Sequence, residues 1–199
     1  MSWFERMKSG ILTRIKRELP EGIWTSCKRC GETTYQAALE RHAWICPHCS
    51  NHFPIGYLKY IDLLADNDSF GEMDANLRTA DPLKFRDHRR YAERIREARK
   101  LTSMNEAIST GVCTVGGQPV ALGVMDMRYL TATMGGATGE KISRLIDRAI
   151  EDRRSLVLVC QSGGARMQES TFSLMQMAKV SARLRRLSDR GLLYICLLT

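Results

Sequence analysis

The stretch SLVLVCQSGGARMQES, residues 155–170, determines the architecture of the second half of the chain. Its first six residues form a continuous apolar run, which is typical of a strand buried on both faces of a sheet. Two consecutive glycines and a basic, helix-forming segment follow. Glycine in series costs chain entropy and is normally kept where the backbone bends sharply or approaches another group closely. The stretch therefore predicts a strand, a tight turn and a helix.

Apolar patterning places further elements on both sides of that stretch. After the segment TATMGGATGEK, apolar residues recur at the spacing of one face of an amphipathic helix. The expected elements are a hairpin around Gly116 and Gly117, a glycine-rich loop over 131–141, helices over 140–152 and about 165–188, and a last strand from 191. Strands alternating with helices in this order indicate an α/β fold with layers of sheet and helix.

Composition divides the chain into four regions. These are a basic N-terminal segment over 1–22, a cysteine-rich ribbon over 23–54, a helical linker region over 55–105 and an α/β domain over 106–199. Within the linker region, we expect helices over 57–65 and 84–102. The chain stops at the end of its last predicted strand, which would leave an unprotected sheet edge. We therefore expect the α/β domain to be partial, completed by a further segment or by another chain.

Four of the seven cysteines follow the pattern C-x2-C-x15-C-x2-C. Each close pair can chelate a metal ion from a tight turn, and four thiolates suit a closed, tetrahedral zinc site. We therefore predict one structural Zn²⁺, bound by Cys27, Cys30, Cys46 and Cys49. Two redox CxxC motifs are the alternative, although neither has the strand-to-helix context of a thioredoxin-type motif.

The net charge of +8 is concentrated in the N-terminal segment and in residues 86–100. A basic excess attracts the phosphates of nucleic acid, anionic lipid or coenzyme A, and a solvated helix face is the alternative for residues 86–100. Trp24, Tyr35 and Trp44 are expected to form the small core of the ribbon, with base stacking as the alternative. The sequence contains no apolar run of membrane-spanning length and no secretory signal, so a cytoplasmic location without membrane association is expected.

The glycine loops MGGATGEK and SGGARMQE are each predicted to precede a helix. Backbone N–H groups at a helix N-terminus donate readily to an anion, and glycine lets a ligand come close. Two such donors aimed at one oxygen would form an oxyanion hole. Tight strand–helix packing without a ligand and a phosphate site are the alternatives. No Ser-His-Asp or Cys-His set is evident, and no histidine follows His88.

The motifs SGGARMQES, SLMQMAK and MGGATGEK, together with the four-cysteine pattern and the opening PEGIWTSC, resemble the beta subunit of bacterial-type acetyl-CoA carboxylase carboxyltransferase. The resemblance covers the chain from Met1 to Thr199, and the combination of ribbon and glycine motif is specific. It implies an N-terminal four-cysteine zinc ribbon followed by part of a crotonase-like (ClpP/crotonase) ββα domain. Members of this family continue for roughly another hundred residues, which agrees with a partial domain.

The resemblance also implies a reaction and a set of partners. The family transfers a carboxyl group from carboxybiotin, held on a separate biotin carboxyl carrier protein, to acetyl-CoA, and the product is malonyl-CoA for fatty acid synthesis. The implied partners are a carboxyltransferase alpha subunit in an α2β2 assembly and biotin carboxylase. A nucleic-acid-binding module, with RNA bound through the ribbon, and a non-catalytic structural partner of the alpha subunit are the alternative functions.

The resemblance assigns roles to five residues of the glycine motifs. The backbone N–H groups of Gly163 and Gly164 are implied to stabilise the enolate oxygen of the thioester, as the catalytic pair. Gly135, Gly136 and Arg166 are implied to bind substrate, with a structural role for Arg166 as the alternative. The base for the methyl proton is implied to be the ureido group of biotin, so no side-chain base is required of this chain.

Overall fold

The structure is a computed structural model that describes residues 23–199. The chain divides into two compact units, one up to Pro54 and one from Ile55 to Thr199. The predicted basic segment over 1–22 lies outside the described residues. Among the described residues, no helix combines the length and the apolar character that a bilayer span requires.

The first unit is a small ribbon. Strands β1 (Trp24–Ser26) and β2 (Thr33–Tyr35) pair in an antiparallel register, and the short helix α1 (Gln36–Arg41) follows directly. An isolated antiparallel bridge joins Ile45 to His52. Leu39 is the apolar side chain that α1 buries, so little apolar surface holds this unit together.

The second unit is built on a sheet whose strands follow chain order. The strands are β3 (Gly71–Met73), β4 (Ile108–Val115), β5 (Gln118–Met125), β6 (Ser155–Cys160) and β7 (Tyr194–Leu198). The pairs β3–β4 and β4–β5 are antiparallel, whereas β5–β6 and β6–β7 are parallel. The predicted hairpin at Gly116 and Gly117 is present, since both residues have positive φ between β4 and β5.

Four helices accompany this sheet. They are α2 (Tyr57–Leu64), α3 (Tyr91–Thr102), α4 (Gly136–Glu151) and α5 (Thr171–Asp189). Helices α4 and α5 lie in the two crossovers that a parallel arrangement of β5, β6 and β7 requires. A turn with positive φ at Leu130–Ala132 precedes α4, and a short 3-10 turn at Met167–Glu169 precedes α5.

The two faces of the sheet bury different residues because side chains alternate along a strand. On one face, Ala121, Leu156 and Leu158 pack against α4 and α5. On the other face, Val120, Leu122 and Val159 pack around Ile61 of α2. The apolar stripe of α4, formed by Ile142, Leu145, Ile146 and Ala149, faces the first of these layers. The α/β prediction is thus confirmed.

Three predicted boundaries are wrong. The helix expected over 84–102 begins only at Tyr91, because residues 86–90 form a bridged turn in which Asp87 accepts a hydrogen bond from the Arg89 amide. The glycine loop expected over 131–141 is shorter, since α4 already begins at Gly136. The helix expected from 165 begins at Thr171, because Ala165 instead pairs with Met134 in a parallel bridge.

The region over 55–105 is more than a helical linker. It contributes β3, which pairs with β4 at the edge of the main sheet, and α2, which covers one face of that sheet. The sequence suggested no strand there because β3 is three residues long and includes a glycine. The segment therefore belongs to the second unit.

The contact between α4 and the sheet gives a stability prediction. The fully buried Leu145 packs over Gly123 of β5. A Cβ atom added to Gly123 would lie 3.1 Å from a methyl carbon of Leu145. Replacing Leu145 with Ala should lower the free energy of unfolding by about 2–5 kcal/mol, because it removes apolar contacts and leaves a cavity. Urea unfolding measures this change. Leu101→Ala, at an exposed position of α3, is the control and should change it by less than about 0.5 kcal/mol; equal effects would contradict the packing described.

Candidate functional site

The four predicted zinc ligands converge in the ribbon. Their Sγ atoms all lie within 4.8 Å of one another, with 3.7 Å between Cys27 and Cys49 and 3.8 Å between Cys30 and Cys46. Each close pair lies on a tight turn, in which the Gly31 and Ser50 amides donate to the Cys27 and Cys46 carbonyls. This four-cysteine cluster is compatible with a structural zinc ion, which takes four sulfur ligands in a closed tetrahedron.

The thiols of the cluster differ in pKa. Hydrogen bonds from the Cys30 and Arg29 amides lower the pKa of Cys27 to about 6. The Glu32 amide lowers the pKa of Cys30, but burial and the neighbouring thiols outweigh it and raise that pKa to about 12. Crowded sulfurs resist carrying several negative charges without a cation between them. A divalent ion would remove that repulsion and displace the remaining protons.

Two aromatic residues of the ribbon are not buried, contrary to the expectation that they form its core. The side chains of Trp24 and Tyr35 are 54% and 44% exposed. They pair across β1 and β2 with their ring centroids 5.5 Å apart. The hydrophobic residues buried in the ribbon are instead Cys27, Leu39 and Cys46. RNA binding through the ribbon stays a prediction.

The two glycine loops of the second unit meet backbone to backbone. The Met134 amide donates to the Gly164 carbonyl at 2.8 Å, and the Arg166 amide donates to the Met134 carbonyl at 2.9 Å. These two bonds form the parallel bridge between Met134 and Ala165. The loops, which are about thirty residues apart in sequence, therefore form one continuous structure at the carboxyl end of β6.

Gly163 and Gly164, the predicted catalytic pair, have different surroundings. The Gly163 amide donates to the Thr131 carbonyl at 2.9 Å, and a Cβ atom at Gly163 would lie 3.0 Å from Thr131 Oγ1. The Gly164 amide donates to Ser162 Oγ at 3.1 Å in an exposed position. Gly164 has a φ of +98°, and a Cβ atom there would have nothing within 4 Å. Glycine adopts this positive φ without strain, and the open space leaves room for a ligand to approach the backbone.

The position of Gly164 differs from the sequence prediction in one respect. Six residues lie between it and Thr171, the first residue of α5, so its amide is not at the N-terminus of that helix. The helix dipole therefore does not act directly at this turn. Any anion bound here depends on the turn's own N–H groups.

Gly135 and Gly136, predicted to bind substrate, lie against buried charged side chains. A Cβ atom at Gly135 would lie 2.6 Å from both Arg166 Nη1 and Glu169 Oε1. The Gly136 amide, at the first residue of α4, donates to Glu169 Oε2 at 2.5 Å. Glycine is required here because protein groups come close to the backbone. This arrangement supports tight packing without a ligand, which the sequence left open as an alternative to an anion site.

Arg166, also predicted to bind substrate, is fully buried with 0% of its surface exposed. Its Nη2 lies 2.5 Å from Glu106 Oε1, and its Nη1 lies 3.2 Å from Glu169 Oε1. Burial alone would raise the pKa of Glu106, but Arg166 lowers it below its usual range. A side chain held in this way does not reach a substrate. The structural role left open by the sequence is the one that its position supports.

Three partners of Arg166 could not be identified from the sequence. Thr79 Oγ1, the Tyr91 hydroxyl and Glu106 all lie within hydrogen-bond distance of its guanidinium. They are 87, 75 and 60 residues away along the chain. Glu169 is different, because it stands three residues after Arg166 in the motif. The Arg-x-x-Glu spacing after a predicted buried strand was therefore a sequence signal from which the Arg166–Glu169 ion pair could have been predicted.

Two cavities flank the joined loops. One, of about 350 Å³, is lined by residues that include Thr131, Gly163, Ala165, Met167 and Arg94. The other, of about 320 Å³, lies on the α4 side and is lined by residues that include Gly136, Glu169 and Phe172. Glu169 of the buried Arg166–Glu169 pair thus lines the second cavity, and Gly163 of the Gly163–Gly164 turn lines the first.

Comparisons with protein families agree with this architecture. Residues 57–199 match the carboxyl transferase domain, and residues 24–49 match the acetyl-CoA carboxylase zinc finger domain. The chain is 43% identical over its whole length to the acetyl-coenzyme A carboxylase carboxyl transferase subunit beta of Prosthecochloris aestuarii. It is 44% identical to the subunit of the same name from Chlorobaculum tepidum. The chain spans 71% and 72% of the length of these two relatives.

Solved structures share the fold at lower identity. A transcarboxylase 12S structure with methylmalonyl-coenzyme A bound matches 73% of this chain and 26% of its own, at a TM-score of 0.62 and 22% identity. A Pseudomonas malonate decarboxylase hetero-tetramer in complex with malonate matches 68% of this chain and 48% of its own, at a TM-score of 0.53 and 22% identity. The predicted combination of a zinc ribbon with a crotonase-like domain is confirmed.

The cysteine cluster gives a metal prediction. Cys49→Ser should abolish zinc binding in the purified full-length protein, because three thiolates do not complete the closed site. Cys196→Ser, which changes a cysteine outside the cluster, is the control and should keep one zinc per chain. Metal analysis of both variants measures this. Stoichiometric zinc in the Cys49 variant would contradict the assignment.

Proposed function

The chain belongs to the family of acetyl-coenzyme A carboxylase carboxyl transferase beta subunits, and we propose that its glycine turn binds the thioester of acetyl-CoA during carboxyl transfer. The product is malonyl-CoA, in the committed step of fatty acid synthesis. The carboxyl group comes from carboxybiotin, which a separate carrier protein presents. The observation that carries the proposal is Gly164, whose positive φ is accessible to glycine, whose Cβ position is open and whose amide lies in an exposed position.

The chemistry requires a donor at the thioester oxygen. Removing a methyl proton from acetyl-CoA places negative charge on that oxygen, and a preorganised N–H group stabilises it more than the neutral carbonyl. The Gly164 amide is suited to this because its present acceptor is the Ser162 hydroxyl. That hydroxyl also donates to the Ala132 carbonyl at 3.0 Å, so it keeps a partner when a substrate oxygen replaces it at the Gly164 amide.

Gly163 is the weaker candidate of the proposed pair. Its amide is already bonded to the Thr131 carbonyl, and donation to substrate would require that bond to break. We therefore assign the first donor role to Gly164. Gly163 then serves by allowing Thr131 to come close to the turn.

The acyl group is placed in the cavity of about 350 Å³ beside this turn. Its lining includes the apolar Ala165 and Met167 and the polar Thr131, a mixture that suits a short acyl thioester. Gly135 and Gly136 are proposed to act indirectly, because they let the Arg166–Glu169 pair approach the backbone. No base is assigned to this chain, whose described residues place no histidine in the cavity lining.

The partners follow from the reaction. An alpha subunit, proposed to form an α2β2 assembly, would hold the biotin end of the reaction. The biotin carboxyl carrier protein would deliver carboxybiotin, and biotin carboxylase would regenerate it. The ribbon is proposed to hold one structural zinc ion. A cytoplasmic location is proposed because these partners and the acetyl-CoA substrate must meet there.

The role of Gly164 gives a kinetic prediction. In the assembled enzyme, Gly164→Ala should lower kcat for acetyl-CoA carboxylation by about 10²–10³-fold, the usual loss when one oxyanion donor is displaced. The new methyl group has space, but φ = +98° disfavours alanine and shifts the amide. Initial rates at varied acetyl-CoA concentration separate kcat from KM.

Gly117→Ala is the matched control. Gly117 also has a positive φ and open space around its Cβ position, but it lies in the hairpin between β4 and β5. Its variant should lose some stability and keep the wild-type kcat. A wild-type kcat in the Gly164 variant would contradict the assigned donor, and a wild-type enzyme without carboxyl transfer would contradict the function itself.

A further inference from the structure

We infer that Arg166 is the positioning residue of the glycine turn, and that its buried cluster with Glu106 and Glu169 sets the direction of the Gly164 amide. This inference rests on the proposed donor role of Gly164. It assigns a function to a side chain that does not touch substrate. The hydrogen bonds of the guanidinium, the backbone bonds beside it and its complete burial support this role.

The guanidinium of Arg166 has five N–H donors, and acceptors surround all three of its nitrogens. Nε donates to Thr133 Oγ1 at 3.2 Å, and Nη2 donates to the Thr133 carbonyl at 2.7 Å and to Glu106 at 2.5 Å. Nη1 faces the oxygens of Thr79, Tyr91, Glu106 and Glu169 at 2.9–3.3 Å. The group has no donor left for a ligand, so its role is to hold protein segments in place.

The segment that Arg166 holds is the one that pairs with the glycine turn. Its side chain binds Thr133, and its own amide binds the carbonyl of the next residue, Met134. The Met134 amide in turn donates to the Gly164 carbonyl. Each peptide plane joins the carbonyl of one residue to the amide of the next. The Gly164 amide itself lies in the preceding plane, which it shares with the Gly163 carbonyl. Fixing the planes on both sides of Ala165 therefore leaves only rotation about the φ and ψ bonds of Gly164 to redirect that amide.

Glu169 extends the same constraint to α4. One of its oxygens accepts from Arg166 and from the Tyr91 hydroxyl, at 3.2 and 2.6 Å. The other oxygen accepts from the Gly136 amide at the start of α4, where a negative charge is favoured by the helix dipole. The carboxylate thus joins the turn, α3 and α4 at one point. Thr138 of α4 also donates to Glu106 Oε1, at 3.0 Å.

A lysine cannot reproduce this arrangement. Its ammonium is a single point with three donors, whereas the cluster uses a planar fork with donors on three nitrogens. Arg166→Lys keeps the positive charge that Glu106 and Glu169 require, so it avoids leaving those carboxylates without a cation. It removes the hydrogen bonds from the guanidinium to Thr133 while preserving the charge. The variant therefore separates the positioning role from simple charge balance.

The experiment measures carboxyl transfer and thermal unfolding in the assembled enzyme with the full-length subunit. Arg166→Lys should lower kcat about tenfold or more, with KM for acetyl-CoA changed less than about twofold, because misplacing a transition-state donor affects kcat. Tyr91→Phe should lower kcat by a smaller factor, since it removes one hydroxyl from the cluster. Tyr91→Phe also keeps the test decisive if Arg166→Lys does not fold.

Two control variants separate this effect from general destabilisation. Arg148→Lys alters an exposed Arg–Asp pair on α4 and should leave both kcat and the unfolding temperature unchanged. Ile146→Val, on the buried face of α4, should lower the unfolding temperature and leave kcat unchanged. A cluster that only stabilises the fold would make Arg166→Lys behave like Ile146→Val, and that result would overturn the inference.

The double variant Gly164→Ala/Arg166→Lys is the decisive comparison. If Arg166 acts through the Gly164 amide, both substitutions remove the same interaction. Adding Arg166→Lys to Gly164→Ala should then lower kcat by less than about threefold further. Losses that multiply would overturn the inference and leave the donor role of Gly164 intact. A normal kcat in Gly164→Ala with a reduced one in Arg166→Lys would overturn both assignments.

Discussion

The fully buried ion pair between Arg166 and Glu106 is the interaction on which the arrangement of the second unit depends. Burying charges is costly unless each is paired and hydrogen-bonded. Here Glu106 lies in the segment before β4, and further acceptors come from the loop before α3, the first residue of α3 and the turn at Met167–Glu169. Because removing one partner would leave the other charge buried and unpaired, these parts must assemble together.

The same cluster explains why the two glycine motifs contain different kinds of glycine. Gly135 and Gly136 are needed because Arg166 and Glu169 come within contact of the backbone. Gly164 is needed because its φ is positive and the space above it is open. One pair of glycines thus makes room for the protein's own charges, and the other turn leaves open the space in which we propose that a ligand binds. The backbone bonds between the loops join the segment held by the buried charges to the turn with the exposed Gly164 amide.

Much of this architecture could be predicted from the sequence, since strong local signals specify it. The apolar run of β6, the hairpin glycines and the cysteine spacing all predicted what was found. The errors arose where distant contacts override local pattern. Ala165 pairs with Met134 instead of starting a helix. Arg166 turns inward to pair with Glu106, and the local sequence did not reveal this contact because Glu106 is 60 residues away. Trp24 and Tyr35 were expected inside the ribbon because they are aromatic, but a unit built around four sulfurs leaves them exposed.

A crystal structure of the assembled enzyme with acetyl-CoA bound would test the roles of the glycine turn and of Arg166 together. We expect the thioester oxygen within about 3 Å of the Gly164 amide nitrogen, the usual length of such a hydrogen bond. We also expect Arg166 to remain paired with Glu106 in the substrate complex. A thioester oxygen bound away from this turn would contradict both roles. An Arg166 side chain turned out to contact coenzyme A would contradict its positioning role.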